Sequence, residues 1–180
     1  MSSTNEPPRG WIREALATYE GPLLRYAARL SQGDMERARD AVQDTFIRLC
    51  DQDRDKVSGY LAPWLYRVCR NRVLELRRKE DRMSPLDDAM LAVNAAEGPD
   101  PADRVRQSDS LAAVLALLGG LPPNQQEVVR LKFQSELSYK EISSVTGLTV
   151  SNVGFLLHTA LRRLREGFRQ LEAQGQETTP

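Results

Sequence analysis

The residues best suited to binding chemistry lie in the stretch Gly59–Arg82, which reads GYLAPWLYRVCRNRVLELRRKEDR. Pro63 fits the first turn of a helix there, because a proline at that point removes no hydrogen bond. At about 100° per residue, one side of this helix is a packing face and the opposite side is basic. The packing face consists of Leu65, Val68, Cys69, Arg72, Val73 and Leu76, and the basic face of Arg67, Arg70, Asn71, Leu74 and Arg78.

Aromatic residues accompany the basic face. Trp64 lies at its flank, with Tyr60 and Tyr66 nearby. Unpaired bases stack on aromatic rings and phosphates pair with arginine, so the combination favours binding to single-stranded or partly opened nucleic acid. A solvated charged face with the aromatic rings turned inward explains the same pattern. This helix alone leaves both interpretations open.

A second amphipathic pattern precedes this helix, in ERARDAVQDTFIRLCD at Glu36–Asp51. Its apolar stripe consists of Ala38, Val42, Phe46 and Leu49, and its polar side carries Asp40, Gln43, Asp44 and Arg48. The spacing predicts a helix that packs on one side and offers the other side to a partner. Simple solvation of the polar side is the plainer explanation unless another feature of the chain requires a partner.

The second half of the chain contains a capping box, Ser-x-x-Glu, at Ser138–Glu141. In this motif two side chains satisfy free backbone amides at the start of a helix. The helix is predicted to end before Gly147, since glycine readily takes the left-handed conformation that ends helices. Thr149 or Ser151 then caps another helix, and a helix at Asn124–Phe133 precedes the pair. Two helices joined by a short turn with a glycine predict a helix-turn-helix.

The last helix of this motif has a buried side and a candidate reading face. The buried side consists of Val153, Leu157, Ala160, Leu164 and Phe168, and the reading face of Ser151, Asn152, Phe155, His158, Thr159 and Arg162. In helix-turn-helix proteins the second helix enters the major groove with its N-terminal residues towards the bases. Contacts to phosphate position a protein without specifying sequence. The arginines able to make them are Arg162, Arg163, Arg165 and Arg169.

No pattern in the chain predicts catalysis. There is no phosphate-binding loop, no paired set of metal ligands and no nucleophile beside a base. His158 has no acidic or nucleophilic partner in the sequence, so it receives no catalytic role. Cys50 and Cys69 lack the spacing of a zinc site or a disulfide framework, which favours two buried thiols. The sequence therefore predicts no enzyme activity, no catalytic residue, no metal and no cofactor.

Composition and the positions of glycine and proline predict how the 180 residues are organised. Apolar residues recur at three and four positions without sustained alternation, which indicates an all-α fold. Glycine and proline cluster at the ends and in a polar, mostly acidic stretch between the helical regions. We expect two small helical domains, at 11–82 and 110–171, joined by a flexible linker at 83–109, with the helix-turn-helix in the second domain.

Charge and hydropathy define the expected location. The 25 Lys and Arg residues balance 25 Asp and Glu residues, so any basic surface must be local. No apolar run approaches the roughly 20 residues that span a bilayer, and no signal-peptide core follows Met1. The chain is expected to be cytoplasmic, without membrane insertion.

Together these stretches resemble the extracytoplasmic-function (ECF, group four) type of bacterial RNA polymerase sigma factor. DAVQDTFIRL at Asp40–Leu49 is similar to the segment that grips the clamp helices of the beta-prime subunit. WLYRVCRNRVLELRR at Trp64–Arg78 is similar to the helix that opens and reads the minus-ten promoter element. LPPNQQEVVRLKF at Leu121–Phe133, followed by LSYKEIS at Leu137–Ser143, resembles the domain that binds the minus-thirty-five element and the polymerase flap. Two distinct motifs in the right order make the resemblance specific.

The resemblance implies three groups of site residues. Polymerase binding falls on Asp40, Gln43, Asp44, Phe46 and Arg48. Contacts to the minus-ten element fall on Tyr60, Trp64, Arg67, Arg70, Asn71 and Arg78, with Asn71 and the loop Asp51–Ala62 placed where the family captures an everted base. Contacts to the minus-thirty-five element fall on Ser151, Asn152, Phe155, His158, Arg162 and Arg163.

The implied function is to direct RNA polymerase to specific promoters, in a stress or envelope response. The implied partners are the polymerase core, through its beta-prime clamp and beta flap, promoter DNA, and an anti-sigma protein as a further candidate. One departure stands out, because this chain has Gly154, Leu156, Thr159 and Leu161 where family members commonly carry basic residues. Phe155 on the outer face is suited either to a thymine methyl group or to another protein.

Two other functions compete with this interpretation. The first is a helix-turn-helix regulator whose first domain senses a ligand or dimerises, without binding polymerase. Dimerisation would be expected because such proteins usually bind two half-sites on DNA. The second is a helical adaptor that sequesters a partner without binding DNA. Asp40–Leu49 followed by the aromatic and basic helix argues against the regulator, and the arginines of both modules argue against the adaptor.

Overall fold

The computed structural model describes residues 10–83 and 112–176. Within those ranges every regular element is a helix. The chain divides into two compact units, one containing residues 10–83 and the other containing most of 112–176. The predicted all-α fold with two helical domains is therefore confirmed. The predicted linker at 83–109 lies outside the described residues except for Met83.

The first domain is built from three long helices and one short helix. The core is formed where α1, α2 and α4 pack against one another, around the fully buried side chains of Leu23, Leu49, Leu65 and Val73. In chain order the elements are α1 (Gly10–Leu30), α2 (Met35–Cys50), α3 (Arg54–Val57), a single 3₁₀ turn (Ser58–Tyr60) and α4 (Leu61–Met83).

Local side chains set the helix boundaries of the first domain. Asp34 caps α2 by accepting a hydrogen bond from the backbone N–H of Arg37 at 2.9 Å. Asp53 caps α3 in the same way, accepting from the N–H of Asp55 at 3.2 Å. Such caps satisfy backbone amides that have no partner within the helix. Pro63 is the third residue of α4, which agrees with its predicted place in the first turn.

The second domain is a helix-turn-helix with additional helical support. Val128, Leu131, Ile142, Val153 and Leu157 are its fully buried large side chains. The helices α6 and α8 pack against each other. In chain order the elements are α5 (residues 112–119), α6 (Pro123–Phe133), α7 (Tyr139–Thr146) and α8 (Val150–Gln176).

The predicted capping box and turn are both present. The Glu141 carboxylate accepts from the backbone N–H of Ser138 at 2.7 Å, and the hydroxyl of Ser138 accepts from the N–H of Glu141 at 3.3 Å. Gly147 ends α7 with φ 78°, the left-handed conformation that favours glycine. Of the two candidates for the next cap, Thr149 makes the bond, because its hydroxyl accepts from the N–H of Asn152 at 3.2 Å.

Candidate polymerase and nucleic-acid interfaces

The exposed surface of α4 carries part of the predicted basic face. Arg67, Asn71 and Arg78 are exposed, and Arg70 is half-buried. Tyr60, in the 3₁₀ turn that leads into α4, is 47% exposed. An accessible aromatic ring thus lies one element before a row of basic and amide side chains, as contact with an unpaired strand would require. The opposite side of α4 packs as predicted, with Leu65, Cys69 and Val73 fully buried.

Trp64 and Tyr66 differ from the expected arrangement, because both rings face the interior. Trp64 is 8% exposed and Tyr66 is 2% exposed. The ring of Tyr66 meets that of Tyr26 edge to face, with centroids 5.1 Å apart and an interplanar angle of 74°, a favoured geometry for aromatic pairs. Helix α4 packs on both α1 and α2, so its buried sector is wider than a helix with one neighbour would need. Direct stacking by Trp64 on a base is not available in this conformation.

Asp44 forms an ion pair inside the domain, so its carboxylate is not fully available to a partner protein. Its carboxylate forms an ion pair with the Nε atom of Arg72 on α4. Arg72 in turn pairs with Glu75 at 3.2 Å, and Glu75 pairs with Lys79 at 3.3 Å. Burial alone would lower the pKa of Arg72, but the hydrogen bonds and charges of Glu75 and Asp44 outweigh it and raise that pKa. Asp44 therefore joins α2 to α4, and only part of its side chain reaches solvent.

The exposed face of α2 is a continuous stripe. Its members recur at intervals of four and three residues, which places them on one side of the helix. We name this row the α2 stripe, and it consists of Glu36, Asp40, Gln43, Ile47 and Cys50, all exposed. Ile47 is 54% exposed, an unusual position for a large aliphatic side chain. Arg48 is exposed beside the stripe.

An apolar groove of about 510 Å³ lies between α1 and α2, along the α2 stripe. Phe46, which was predicted both to pack and to bind polymerase, is 8% exposed and lines this groove. Sequence reasoning missed the α1 side of the groove and Ile47. The four-residue repeat of Ile12, Leu16, Glu20 and Leu24 was the available signal. The full lining consists of Ile12, Leu16, Glu20, Leu24, Arg39, Val42, Gln43, Phe46, Ile47 and Cys50.

The two cysteines have different environments. Cys69 is fully buried, and burial raises the pKa of its thiol to about 12 against the smaller opposing effect of a hydrogen bond with Thr45. Such a thiol stays protonated and unreactive at neutral pH. Cys50 is exposed on the α2 stripe, so the expectation of two buried thiols is wrong for this residue.

The candidate reading face of α8 is exposed except at Thr159, which is half-buried. Ser151, Asn152, His158 and Arg162 are all accessible, and Phe155 is 66% exposed. The opposite side is buried at Val153, Leu157 and Ala160, while Leu164 and Phe168 are only half-buried. The first three turns of α8 thus offer an uninterrupted surface of polar groups around one aromatic ring.

The arginines that follow on α8 are partly engaged within the domain. Arg163 donates from Nη1 to Oε1 of Gln125 on α6 at 3.3 Å. Arg162 lies 4.0 Å from the carboxylate of Glu166. Arg163 therefore helps to hold α8 against α6, and its role in phosphate contact is correspondingly reduced. Leu156, one of the residues that replace the usual basic ones, is 6% exposed and belongs to the buried side of α8.

The comparison with protein families assigns both domains. The family model for sigma-70 region 2 matches residues 16–83, and that for sigma-70 region 4 matches residues 111–164. The two matches follow the chain order of the two helical domains and together cover both candidate interfaces. The chain belongs to the sigma-70 family of sigma factors.

Curated ECF sigma factors are similar to the chain over most of its length. The ECF RNA polymerase sigma factor SigE of Mycolicibacterium smegmatis is 32% identical over 155 residues, which is 85% of this chain and 60% of SigE. SigM of Bacillus subtilis is 27% identical over 157 residues, which is 86% of this chain and 93% of SigM. The chain thus spans less than two thirds of SigE and nearly all of SigM.

A solved sigma factor structure shares the fold of this chain. The sigma factor RpoE of Bartonella quintana, crystallised with the anti-sigma factor NepR, is 21% identical with a TM-score of 0.62. The match covers 87% of this chain and 96% of RpoE. At that identity the likeness shows the fold alone.

Family membership gives the general biochemistry. ECF sigma factors bind the RNA polymerase core and promoter DNA, and they are initiation factors without enzymatic activity of their own. Within residues 10–83 and 112–176, no helix has the length and hydropathy needed to cross a bilayer. The same residues contain no group of three or more His, Cys, Asp or Glu side chains placed to hold a metal ion.

Proposed function

We propose that this chain brings core RNA polymerase to a defined class of promoters and initiates transcription there. The observation that carries the proposal is the ordered match of sigma-70 regions 2 and 4 to two helical domains, each with an exposed helix face. The ECF assignment further supports a role inside the cytoplasm, in a response to stress or to the state of the cell envelope.

The α2 stripe is the proposed contact with the polymerase core. Its spacing of four and three residues is that of a helix that packs lengthwise against another helix. Ile47 supplies an exposed apolar anchor, and Asp40 and Gln43 supply polar contacts beside it. The groove of about 510 Å³ between α1 and α2 gives the partner helix an apolar surface to cover. Phe46 and Asp44 support this surface from within the domain, and Arg48 flanks it.

The exposed part of α4 is the proposed contact with the opened minus-ten strand. Arg67 and Arg78 are placed for phosphate, Asn71 for a base edge, and Tyr60 for stacking. Arg70 is half-buried and contributes at the margin. Trp64 has a supporting role, since it fills the interior beneath this surface.

The first turns of α8 are the proposed contact with the minus-thirty-five duplex. Ser151, Asn152 and His158 carry donors and acceptors that can reach base edges in the major groove. Arg162 is exposed for phosphate contact, whereas Arg163 also holds Gln125. No acidic residue occurs between Val150 and Arg165, so no fixed negative charge on this part of α8 repels the DNA backbone.

Asp40→Arg tests the polymerase contact. Asp40 is exposed on the α2 stripe, so reversing its charge should weaken binding to core polymerase about tenfold or more while leaving the unfolding free energy within about 0.5 kcal/mol. Affinity is measured with labelled full chain and purified core polymerase, and activity by promoter-dependent transcription.

Glu14→Arg is the matched control for this test. Glu14 is exposed on α1 and lies two residues from Ile12, about 200° around the helix from the groove. It should bind core polymerase like the wild type. Equal binding by Asp40→Arg, Glu14→Arg and the wild type would contradict the proposed contact. A wild-type chain that binds promoter duplex but never associates with core polymerase would instead support a helix-turn-helix regulator.

An anti-sigma protein is a proposed second partner of the α1–α2 groove. One support is the exposed apolar groove itself, because exposed apolar surface of this kind marks sites where another protein binds. The other is a structural relative that was crystallised with an anti-sigma factor. Such a partner should compete with core polymerase for the full chain, and Ile47→Asp should weaken both complexes. Simultaneous binding of both partners would contradict this proposal.

A further inference from the structure

Phe155 of α8 is a large apolar residue whose side chain is mostly exposed to solvent. It is 66% exposed, more than any other large hydrophobic side chain in the described residues. It lies in the second turn of α8, where the second helix of a helix-turn-helix comes closest to the bases. An aromatic ring with this exposure buries little surface on folding, and its position on the reading face leaves it accessible to a partner.

The neighbours of Phe155 on α8 leave its ring standing clear of the helix. The residues four positions before and after it are Ser151 and Thr159, and those three positions away are Asn152 and His158. All four are polar, and all but Thr159 are exposed. Gly154 carries no side chain beside the ring. The ring is thus a single apolar projection from a polar helix face, and the polar side chains around it can bond base edges beside it.

Base edges in the major groove offer only one apolar group, the C5-methyl of thymine. The other features exposed there are hydrogen-bond donors and acceptors, which a phenyl ring cannot satisfy. We infer that Phe155 reads a thymine methyl group in the upstream promoter element. This inference rests on the proposed function and gives it a base preference that the neighbouring polar residues do not determine.

Replacing thymine by uracil isolates this contact, because it removes only the methyl group and keeps base pairing and backbone unchanged. Full chain is assembled with core RNA polymerase, and a preferred promoter is selected from a pool randomised over the upstream element. Each thymine of the selected element is then changed to uracil in turn, at one fixed salt concentration, because phosphate contacts respond strongly to salt. At one position the wild type should lose about fourfold in affinity, the factor expected for one buried methyl group.

Phe155→Ala should abolish that loss. The variant should bind the thymine promoter about fourfold or more weakly than the wild type and bind thymine and uracil promoters equally well. Phe133→Ala is the matched control, because Phe133 is a phenylalanine of similar exposure, 58%, on α6. It should keep the wild-type discrimination between the two promoters. Circular dichroism of both variants establishes that the helices remain folded.

The outcomes separate this inference from the proposed function. A wild-type holoenzyme that prefers particular upstream sequences but ignores every thymine-to-uracil change would overturn the role of Phe155 and leave sigma activity intact. Normal promoter discrimination by Phe155→Ala together with weakened binding to core polymerase would make Phe155 a protein contact and also overturn the inference. If no promoter-selective complex forms with wild-type chain, the proposed function fails first.

Discussion

The two helical domains present their candidate binding residues in different ways. In the second domain Ser151, Asn152, Phe155 and His158 stand exposed on the first turns of one helix. In the first domain α4 packs against both α1 and α2, and Trp64 is buried beneath the surface it was expected to form. The first turns of α8 keep a broad exposed face, whereas α4, which packs against two long helices, keeps a narrower exposed strip.

This difference has an energetic consequence. In the first domain a substitution near the binding surface also disturbs the core, so loss of function and loss of stability come together. In the second domain the reading face can be changed while Val153, Leu157 and Ala160 continue to pack. Promoter preference should therefore vary more freely through α8 than through α4.

The largest expected effect in this contrast is that of Trp64→Ala. Because the ring is 8% exposed, its removal should lower the unfolding free energy of the first domain by about 3 to 5 kcal/mol. The chain has two tryptophans, so Trp11 remains as a reporter in the same domain, and urea unfolding followed by its fluorescence measures the change. A loss below about 1 kcal/mol would show that the ring is not part of the core.

Asp44→Arg is expected to have the next largest effect. It places two cations together where Asp44 now pairs with Arg72, and should cost the first domain about 2 kcal/mol, between the values for exposed and buried pairs. The double variant Asp44→Arg with Arg72→Asp restores opposite charges and should recover about half of the loss. Tryptophan fluorescence in urea measures the unfolding free energies of the wild type, of the single variants Asp44→Arg and Arg72→Asp, and of the double variant. Additive losses in the double variant would contradict a direct interaction between the two residues.

The capping box of α7 provides a smaller effect in the second domain. Ser138→Ala should lower the local stability of α7 by about 1 kcal/mol, as is usual for the loss of a helix cap. Glu141→Gln should lower it by less, because glutamine keeps an acceptor oxygen for the backbone N–H of Ser138 and only the charge is lost. Amide hydrogen exchange of α7 residues measures this loss without interference from the first domain. Amides in α1 serve as the internal control, since their exchange rates should not change. A faster rate in both domains would show that the effect is not local.

The cost of Glu141→Gln should depend on pH. Hydrogen bonds from the side chain and backbone of Ser138 lower the pKa of Glu141 in the folded protein. The stabilisation by the charged carboxylate is therefore complete above the unfolded pKa of about 4.3 and is lost as the pH falls through the lower folded value. The difference between wild type and Glu141→Gln should disappear at low pH. A difference that persists under acid conditions would mean that the charge is not responsible.

Tyr60→Ala should have the smallest effect on stability. Tyr60 is 47% exposed, so its removal should change the unfolding free energy by less than about 0.5 kcal/mol. It should nevertheless impair promoter opening, because stacking on an unpaired base contributes about 1 to 3 kcal/mol. Permanganate footprinting of the holoenzyme on promoter DNA measures thymine reactivity in the bubble. Unchanged reactivity would exclude Tyr60 from strand opening.

Local chemistry explains which features could be predicted from the sequence. The cap at Ser138, the end of α7 at Gly147 and the buried side of α8 depend on residues close in the chain, whose interactions follow from spacing alone. The orientation of Trp64 and the ion pair of Asp44 with Arg72 depend on how separate helices meet. A helical-wheel projection of α4 contains no information on the neighbouring helices. For that reason it placed Trp64 at the edge of the exposed basic face, whereas the ring is buried.

The candidate site follows the same rule. Asp40, Gln43 and Arg48 are exposed as the amphipathic pattern of α2 predicts, because one buried stripe defines the opposite face. Ile47 escaped notice since an aliphatic residue is normally assigned to the interior, although its spacing from Asp40 and Gln43 already places it on the polar side of α2. The groove beside it is a product of the packing of α1 against α2.

The length of α8 has a mechanical consequence. The helix has 27 residues, which is about 40 Å at 1.5 Å per residue. It contacts neighbouring helices closely at two glycines. Gly154 lies against Tyr139 of α7, and Gly167 lies so close to Leu117 of α5 that a methyl group there would collide with it. The two glycines are about 20 Å apart along a stiff rod. A bulkier residue at Gly167 would first have to displace the side chain of Leu117. Any helix displacement that remained would tilt α8 over the roughly 20 Å between the two glycines.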